Sequence, residues 1–210
     1  MSTSVRAYHH GDLRAALIGA AIESLEAGEA FSMRGIARRA GVSPTAPYRH
    51  FADREALESA VAVEGFRDLR ADLSDAVVRV PEGAGAERVI AELGIAYVAF
   101  ALRRPAVFRL MFGHECDPAD SERVRAAEQL HEVLNTVLLG VLGADDASSL
   151  STALWATAHG LAFLHLDGKL RPEPTADVDA RVRSSVRAIF SAGAAKHPTP
   201  RDPGEPETRP

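Results

Sequence analysis

Apolar residues return every three or four positions along almost the whole chain, the repeat of a helix that buries one face. No stretch alternates convincingly as a strand does, and no run of β-branched residues is bounded by hairpin turns. The pattern predicts an all-α fold of about nine helices. The first runs from about Asp12 to Ala27 and turns Leu13, Leu17, Ala20, Ala21 and Leu25 inward; two short helices follow at about Met33–Ala40 and Pro44–Phe51. A fourth starts after Asp53, a good N-cap, and continues towards Val80. Beyond a Gly-containing loop from Pro81, the fifth (about Glu87–Arg103) aligns Val89, Leu93, Ala96 and Phe100, and Pro105 opens a short sixth through Phe112. Gly113 to Pro118 is a break. The seventh, about Ala119–Leu142, sets Val124, Ala127, His131, Leu134, Leu138 and Val141 at alternating steps of three and four, a coiled-coil-like seam. The eighth spans about Asp146–Leu166. The ninth, about Ala176–Ala192, places Val178, Val182, Val186 and Ile189 on one face.

Two units and a tail follow from this layout: a compact three-helix head over residues 1–53, a larger helical body over 54–194, and a Pro-rich tail over 195–210 with no large apolar side chain, expected to be disordered. The net charge of −5 would by itself argue against a nucleic-acid binder. Its distribution reverses that reading. Up to Arg54 there are seven Arg against five acidic residues, a net of +2, and the remainder carries 17 basic and 24 acidic residues, a net of −7. A basic head on an acidic body is the asymmetry a DNA-binding module produces.

The single Cys116 excludes an internal disulfide framework and a Cys-rich zinc site, and fits a reducing cytosol. No run resembles a signal peptide or a membrane span, so a cytoplasmic location is expected. No nucleophile motif, Gly-rich phosphate loop or His-Glu metal motif appears, so neither catalysis nor a metal or other cofactor is expected.

The link between the second and third predicted helices, Gly41-Val42-Ser43, suits a helix-turn-helix, whose helices cross steeply. Gly41 can take a left-handed conformation at the end of the second helix. Ser32 can cap that helix, with Phe31 and Ile36 spaced as a hydrophobic staple; Ser43 can cap the third, followed by Pro44 at its first position. The third helix then offers small and hydroxyl side chains that can approach base edges, while Tyr48, His50 and Arg54 can donate to phosphate oxygens.

The string from Phe31 to Leu57, with its Tyr48, His50, Phe51, Arg54, Glu55 and Ala56-Leu57, resembles the TetR/AcrR family of one-component regulators, and the preceding Tyr8-His9-His10-Gly11-Asp12-Leu13 is also seen in such proteins. The resemblance implies an all-α homodimer that binds double-stranded operator DNA, carries a pocket for a small-molecule effector in its body, and usually represses until the effector arrives. Carried over by position, Arg34, Thr45, Ala46 and Arg49 would face bases, and Ser32, Tyr48, His50 and Arg54 would hold phosphates. Pro47 stands where many members have an aliphatic residue, and Pro44 cannot donate where others carry a polar side chain, which leaves the operator sequence open.

In the body, the eighth predicted helix is apolar on nearly every side, which requires burial on nearly every side. Its small-residue stripe, Thr152, Ala156 and Gly160, is expected at a dimer interface together with Val182, Val186 and Ile189 of the ninth helix. The candidate pocket residues are Tyr97, Phe100, Phe108, Met111, Phe112, His131, Trp155 and His159. Trp155, His159 and Gly160 further resemble the branch of the family named for Trp, His and Gly.

Overall fold

A computed structural model describes residues 10–113 and 121–194. The Tyr8-His9 pair, most of the predicted break with Cys116, and the predicted disordered tail lie outside the described residues. Among the described residues there are eight α-helices and no strands: α1 (His10–Glu26), α2 (Met33–Arg39), α3 (Arg54–Arg79), α4 (Ala86–Arg103), α5 (Pro105–Phe112), α6 (Ser121–Leu142), α7 (Ala144–Leu166) and α8 (Thr175–Ala194). The all-α reading holds, and one of the nine predicted helices is replaced by a single 3₁₀ turn at Pro47–Arg49.

Prolines explain the replacement. Pro47 has no N–H to bond back to Ser43, so the α-pattern cannot start there. The chain instead tightens into three-residue steps, Ala46 N–H to Ser43 O (3.0 Å), Arg49 N–H to Ala46 O (3.2 Å) and His50 N–H to Pro47 O (2.9 Å). The predicted Ser43 cap is also not formed; its hydroxyl lies 3.3 Å from the Thr45 hydroxyl instead.

In the head, Leu17, Ala20 and Ala21 of α1 are buried as the periodicity requires, and they meet Ile36 of α2, Phe51 and the first turns of α3. Asp53 caps α3 through its carboxylate, which accepts the Ala56 N–H at 2.8 Å. α3 is the longest helix, 26 residues, and carries a buried stripe that includes Leu57, Val61, Leu69 and Leu73 from head to body without interruption. At the usual rise it is about 39 Å long.

α4 is the centre of the body. It is buried on most of its circumference, between α3, α5, α7 and α8. At Gly94 a Cβ would stand 2.9 Å from Val182 Cγ1, so α8 presses onto α4 where α4 has no side chain. The seam foreseen on α6 is divided. Ala127 packs against the main core, whose buried α6 residues are Ala126 and Leu130, outside the foreseen seam, while His131, Leu134 and Leu138 face a cavity towards α7.

α5 is held at both ends by side chains from other helices. The Glu26 carboxylate, at the end of α1, accepts the N–H groups of Ala106 (3.2 Å) and Val107 (3.1 Å). The buried Arg123 of α6 donates to the carbonyls of Leu110 and Met111, both at 3.2 Å. An anion at the helix N-terminus and a cation at its C-terminus both oppose the helix dipole.

Candidate functional site

The head's surface is built by local rules. Ser32 has extended backbone and its hydroxyl oxygen accepts the Gly35 N–H at 3.1 Å, which starts α2. α2 ends at Gly41, with φ +70°. Val42 N–H bonds to Ala37 O (3.0 Å) and Gly41 N–H to Arg38 O (3.1 Å), the paired closure of a Schellman turn. Ala37 is fully buried at the junction, so the small residue lets the chain double back tightly. The turn delivers Thr45, Ala46, Tyr48, Arg49 and His50 to the surface as one short segment; Tyr48, at 55% exposure, projects from it.

The candidate DNA-facing side chains are placed as follows. Arg34, Thr45, Tyr48 and Arg49 are exposed, while Ala46 and His50 are half-buried. Among the described residues neither Arg34 nor Arg49 joins an ion pair, whereas Arg39 is taken up by Glu23 and Glu29. Ser32 keeps its own hydroxyl proton while capping. Arg54 donates through Nε to Glu58 at 2.7 Å, and its guanidinium lies over the Phe31 ring at 5.5 Å, which fixes it at the start of α3. Thr45 and Ala46 lie in the turn before the 3₁₀ segment, where the sequence had put the first turn of an α-helix.

The body contains a cavity of about 310 Å³ between α4, α6, α7 and α8, with Leu73 of α3 reaching its wall. Of the predicted pocket residues, Tyr97, His131 and Trp155 line it. Phe100, Phe108, Met111 and Phe112 do not. Phe100 and Phe108 are fully buried, Met111 nearly so, and they pack in the core between α3, α4 and α5, where Phe108 and Phe112 also meet His159 of α7 below the cavity. His159 sits one layer below the cavity, in ring contact with Tyr97, Phe108, Phe112 and Phe163 at 4.9–6.2 Å.

A polar link crosses this apolar layer. The Tyr97 hydroxyl lies 2.9 Å from His159 Nδ1. Burial pushes the Tyr97 phenol pKa up, against the effect of a hydrogen bond from the Trp155 side chain. Burial pushes the His159 imidazole pKa down, so both groups are held neutral. The phenol and the imidazole thus share one hydrogen bond, in which either can donate according to the imidazole tautomer. Among the described residues no group of three or more His, Cys, Asp or Glu side chains comes together as a metal site.

Residues 17–61 match the bacterial regulatory proteins of the tetR family. Residues 90–189 match the tetracyclin repressor-like C-terminal domain. The chain belongs to the TetR family. It is a DNA-binding transcription regulator. A structure of a protein of unknown function from a Rhodococcus species is 35% identical, covers 87% of this chain and 98% of its own, and superposes with a TM-score of 0.74. A tetR-family transcriptional regulator from Streptomyces coelicolor shares the fold at 20% identity (90% of this chain, 85% of its own, TM-score 0.69). So does a TetR variant from Acinetobacter baumannii in complex with minocycline, at 19% identity (92% and 99%, TM-score 0.59).

The TetR body presents a further surface on α7 and α8. Ala153, Ala156 and Leu164 of α7 and Ala180, Ser184 and Ala188 of α8 are exposed, with Gly160 half-buried among them. Ala156 and Gly160 therefore face outward, as the small-residue stripe required, and Thr152 is exposed at the cavity mouth. The expectation for α8 needs correction. Val182 and Val186 are 2% and 4% exposed and pack on α4 within the chain, so these two leave no surface for a partner, while Ile189 beside them is half-buried. The stripe that faces outward is the one offset from the valines.

Sequence reasoning also missed Asn135, Ser151 and Thr157 as cavity residues, and Glu26 as the cap of α5. Ser151, Thr152 and Thr157 interrupt an otherwise apolar helix. Hydroxyls at those positions were the available signal.

Proposed function

We propose that this regulator is a homodimeric repressor that grips a palindromic operator and is released from it by a small-molecule effector bound in the body. The observation that carries the reading is a shared rod. α3 begins at Arg54, beside the recognition turn, and brings Leu73 to the cavity wall about 28 Å further on. A ligand that favours one arrangement of the cavity wall thereby favours one placement of the head. That is a population shift, and it requires different effector affinities in the two states. α5, clamped by Glu26 from the head and Arg123 from α6, is a second connection.

On this reading Arg34, Thr45, Ala46 and Arg49 contact base edges, while Ser32, Tyr48, His50 and Arg54 hold phosphates. Two heads joined through the outward faces of α7 and α8 would address half-sites about 34–36 Å apart. The minocycline bound by the 19%-identical relative supports a small-molecule effector as a class and says nothing of its identity. Trp155, His159 and Gly160 support a place in the Trp-His-Gly branch. A regulator of this kind works in the cytoplasm, where bacterial DNA lies.

Electrophoretic mobility shift with the DNA upstream of the protein's own gene tests the reading. A shift that weakens as salt rises is expected. Failure to bind any genomic fragment at low salt would overturn it.

A further inference from the structure

The walls of the cavity define what can occupy it. Among the described residues that line it there is no Asp, Glu, Lys or Arg. The ion pairs that join α8 to α4, Arg183 with Glu92 (2.6 Å) and Arg187 with Glu87 (3.2 Å), are not among the lining residues. A charged ligand would thus lose water and gain no counter-ion, which is strongly unfavourable. The floor is aliphatic, from residues such as Leu73, Leu93 and Leu161, and the upper wall is ringed by Trp155, Tyr97 and His131. His131 stands edge-on to Trp155, ring centroids 5.3 Å apart.

Most polar groups of the wall are already engaged, and the exposed Thr152 hydroxyl stands at the mouth. The Tyr97 hydroxyl is engaged with His159 Nδ1 at 2.9 Å, and the Trp155 ring packs against His131 and His159. Thr157 hydroxyl donates to Ala153 O at 2.7 Å. Ser151 hydroxyl donates to Asn135 Oδ1 at 3.4 Å, which turns the Asn135 amide so that its NH₂ is the open end. His131 Nδ1 lies 2.9 Å from Ala127 O. A carbonyl oxygen only accepts, so Nδ1 carries a proton, and in the neutral ring Nε2 is the acceptor. His131 and Asn135 are one turn apart on α6 and so neighbours on its surface. The mouth thus offers an acceptor and a donor side by side.

We propose that the cavity binds an uncharged aromatic compound bearing a hydroxyl group, a phenol-class ligand, whose O–H donates to His131 Nε2 and whose oxygen accepts from the Asn135 amide, with the ring against Trp155. A lone donor or a lone acceptor would satisfy one of these groups and leave the other unpaired; a hydroxyl satisfies both. This assignment rests on the reading of the body as an effector site.

Calorimetric titration of the full chain, without DNA, with 1-naphthol, naphthalene-1-sulfonate and protonated 1-naphthylmethylamine tests it. The naphthol is expected to bind, and the anion and the cation to bind at least about tenfold more weakly. His131→Phe, which keeps a ring beside Trp155, and Asn135→Leu should each weaken naphthol about tenfold. Leu134→Trp and, separately, Ser151→Trp place bulk in the cavity and should abolish binding; far-UV circular dichroism identifies a variant that has not folded, and the other then decides. No heat with any of the three compounds, equal or tighter binding of a charged one, or full binding by a folded cavity-filled variant would overturn the assignment. Mobility shift separates the two readings. Naphthol that binds without releasing DNA supports this ligand class and counts against release by effector, while loss of naphthol binding with intact DNA binding overturns only the ligand class.

Discussion

Glu26 and Val107 are 81 residues apart in sequence, and the carboxylate of the first accepts the backbone N–H of the second at 3.1 Å. The residue at the N-cap of α5 is Arg104, which has no acceptor to cap with and forms no side-chain cap bond. Glu26 supplies the missing oxygen from the head, reaching the second and third helical positions as a local Ser or Asp would. One side chain therefore completes a body helix and ties it to the DNA-binding unit.

Glu26→Ala should cost about 1 kcal/mol, since two first-turn N–H groups lose their acceptor and the helix dipole loses its anion. At this chain length that lowers the melting temperature by about 2–4 °C. Glu26→Gln, which keeps a neutral acceptor, should recover part of the loss. Thermal unfolding of the three proteins checks the order; an unchanged melting temperature in the Ala variant would show that water caps α5 equally well.

The stability of the fold should fall as pH drops below about 6.5. His159 is kept neutral by burial, and His165 by burial together with the charge of Arg181, so both have pKa values below the ordinary 6.5. The unfolded chain takes up these protons first. The stability contributed by the neutral imidazoles is thus full above 6.5 and is lost as pH falls towards the lower folded-state values. Urea midpoints at about pH 7.5 and 5.5 should differ in the wild type and differ less in the His159→Gln, His165→Gln double variant. An equal drop in both proteins would place the acid sensitivity elsewhere.

How much of this was legible in the sequence depended on how local the physics is. Ser32, Gly41 and Asp53 act on backbone groups within a few residues, so their caps and turns could be read directly. The 3₁₀ turn was legible in principle. Pro47 marks it, yet the paired prolines fit an α-helical first turn equally well until the donors are traced one by one. The cavity was harder. Tyr97, Phe100 and Phe108 are all large aromatics at helical spacing, and only the position of α7 decides that Tyr97 meets the cavity while the phenylalanines fill the core beneath it. Val182 has the pattern of any buried face; that the face belongs to α4 depends on the bare backbone at Gly94, 88 residues earlier.

Tyr48 and His50 should contribute to DNA binding through phosphates and not through sequence. Replacing both with Ala should weaken binding to specific and random DNA alike, by about tenfold, as measured by fluorescence anisotropy on both DNAs. A loss confined to the specific operator would instead assign these side chains to base reading.

The outward stripe of α7 gives the sharpest test of the dimer. Ala156 is exposed and Gly160 half-buried on a face where small side chains allow two helices to approach closely, and neither packs into the chain's own core. Ala156→Arg should therefore leave the folded subunit intact and separate the dimer, because the long charged side chain cannot be accommodated between closely packed helices. Sedimentation velocity should show the wild type near twice the subunit mass and the variant near one. DNA affinity should fall in parallel, since a single head gains no help from a second half-site. Val182→Arg is the contrasting case. Val182 is buried against Gly94, so this variant should lose thermal stability outright before any effect on association is seen. A dimer that survives Ala156→Arg and dissociates in a folded Val182→Arg protein would return the interface to the valine face of α8.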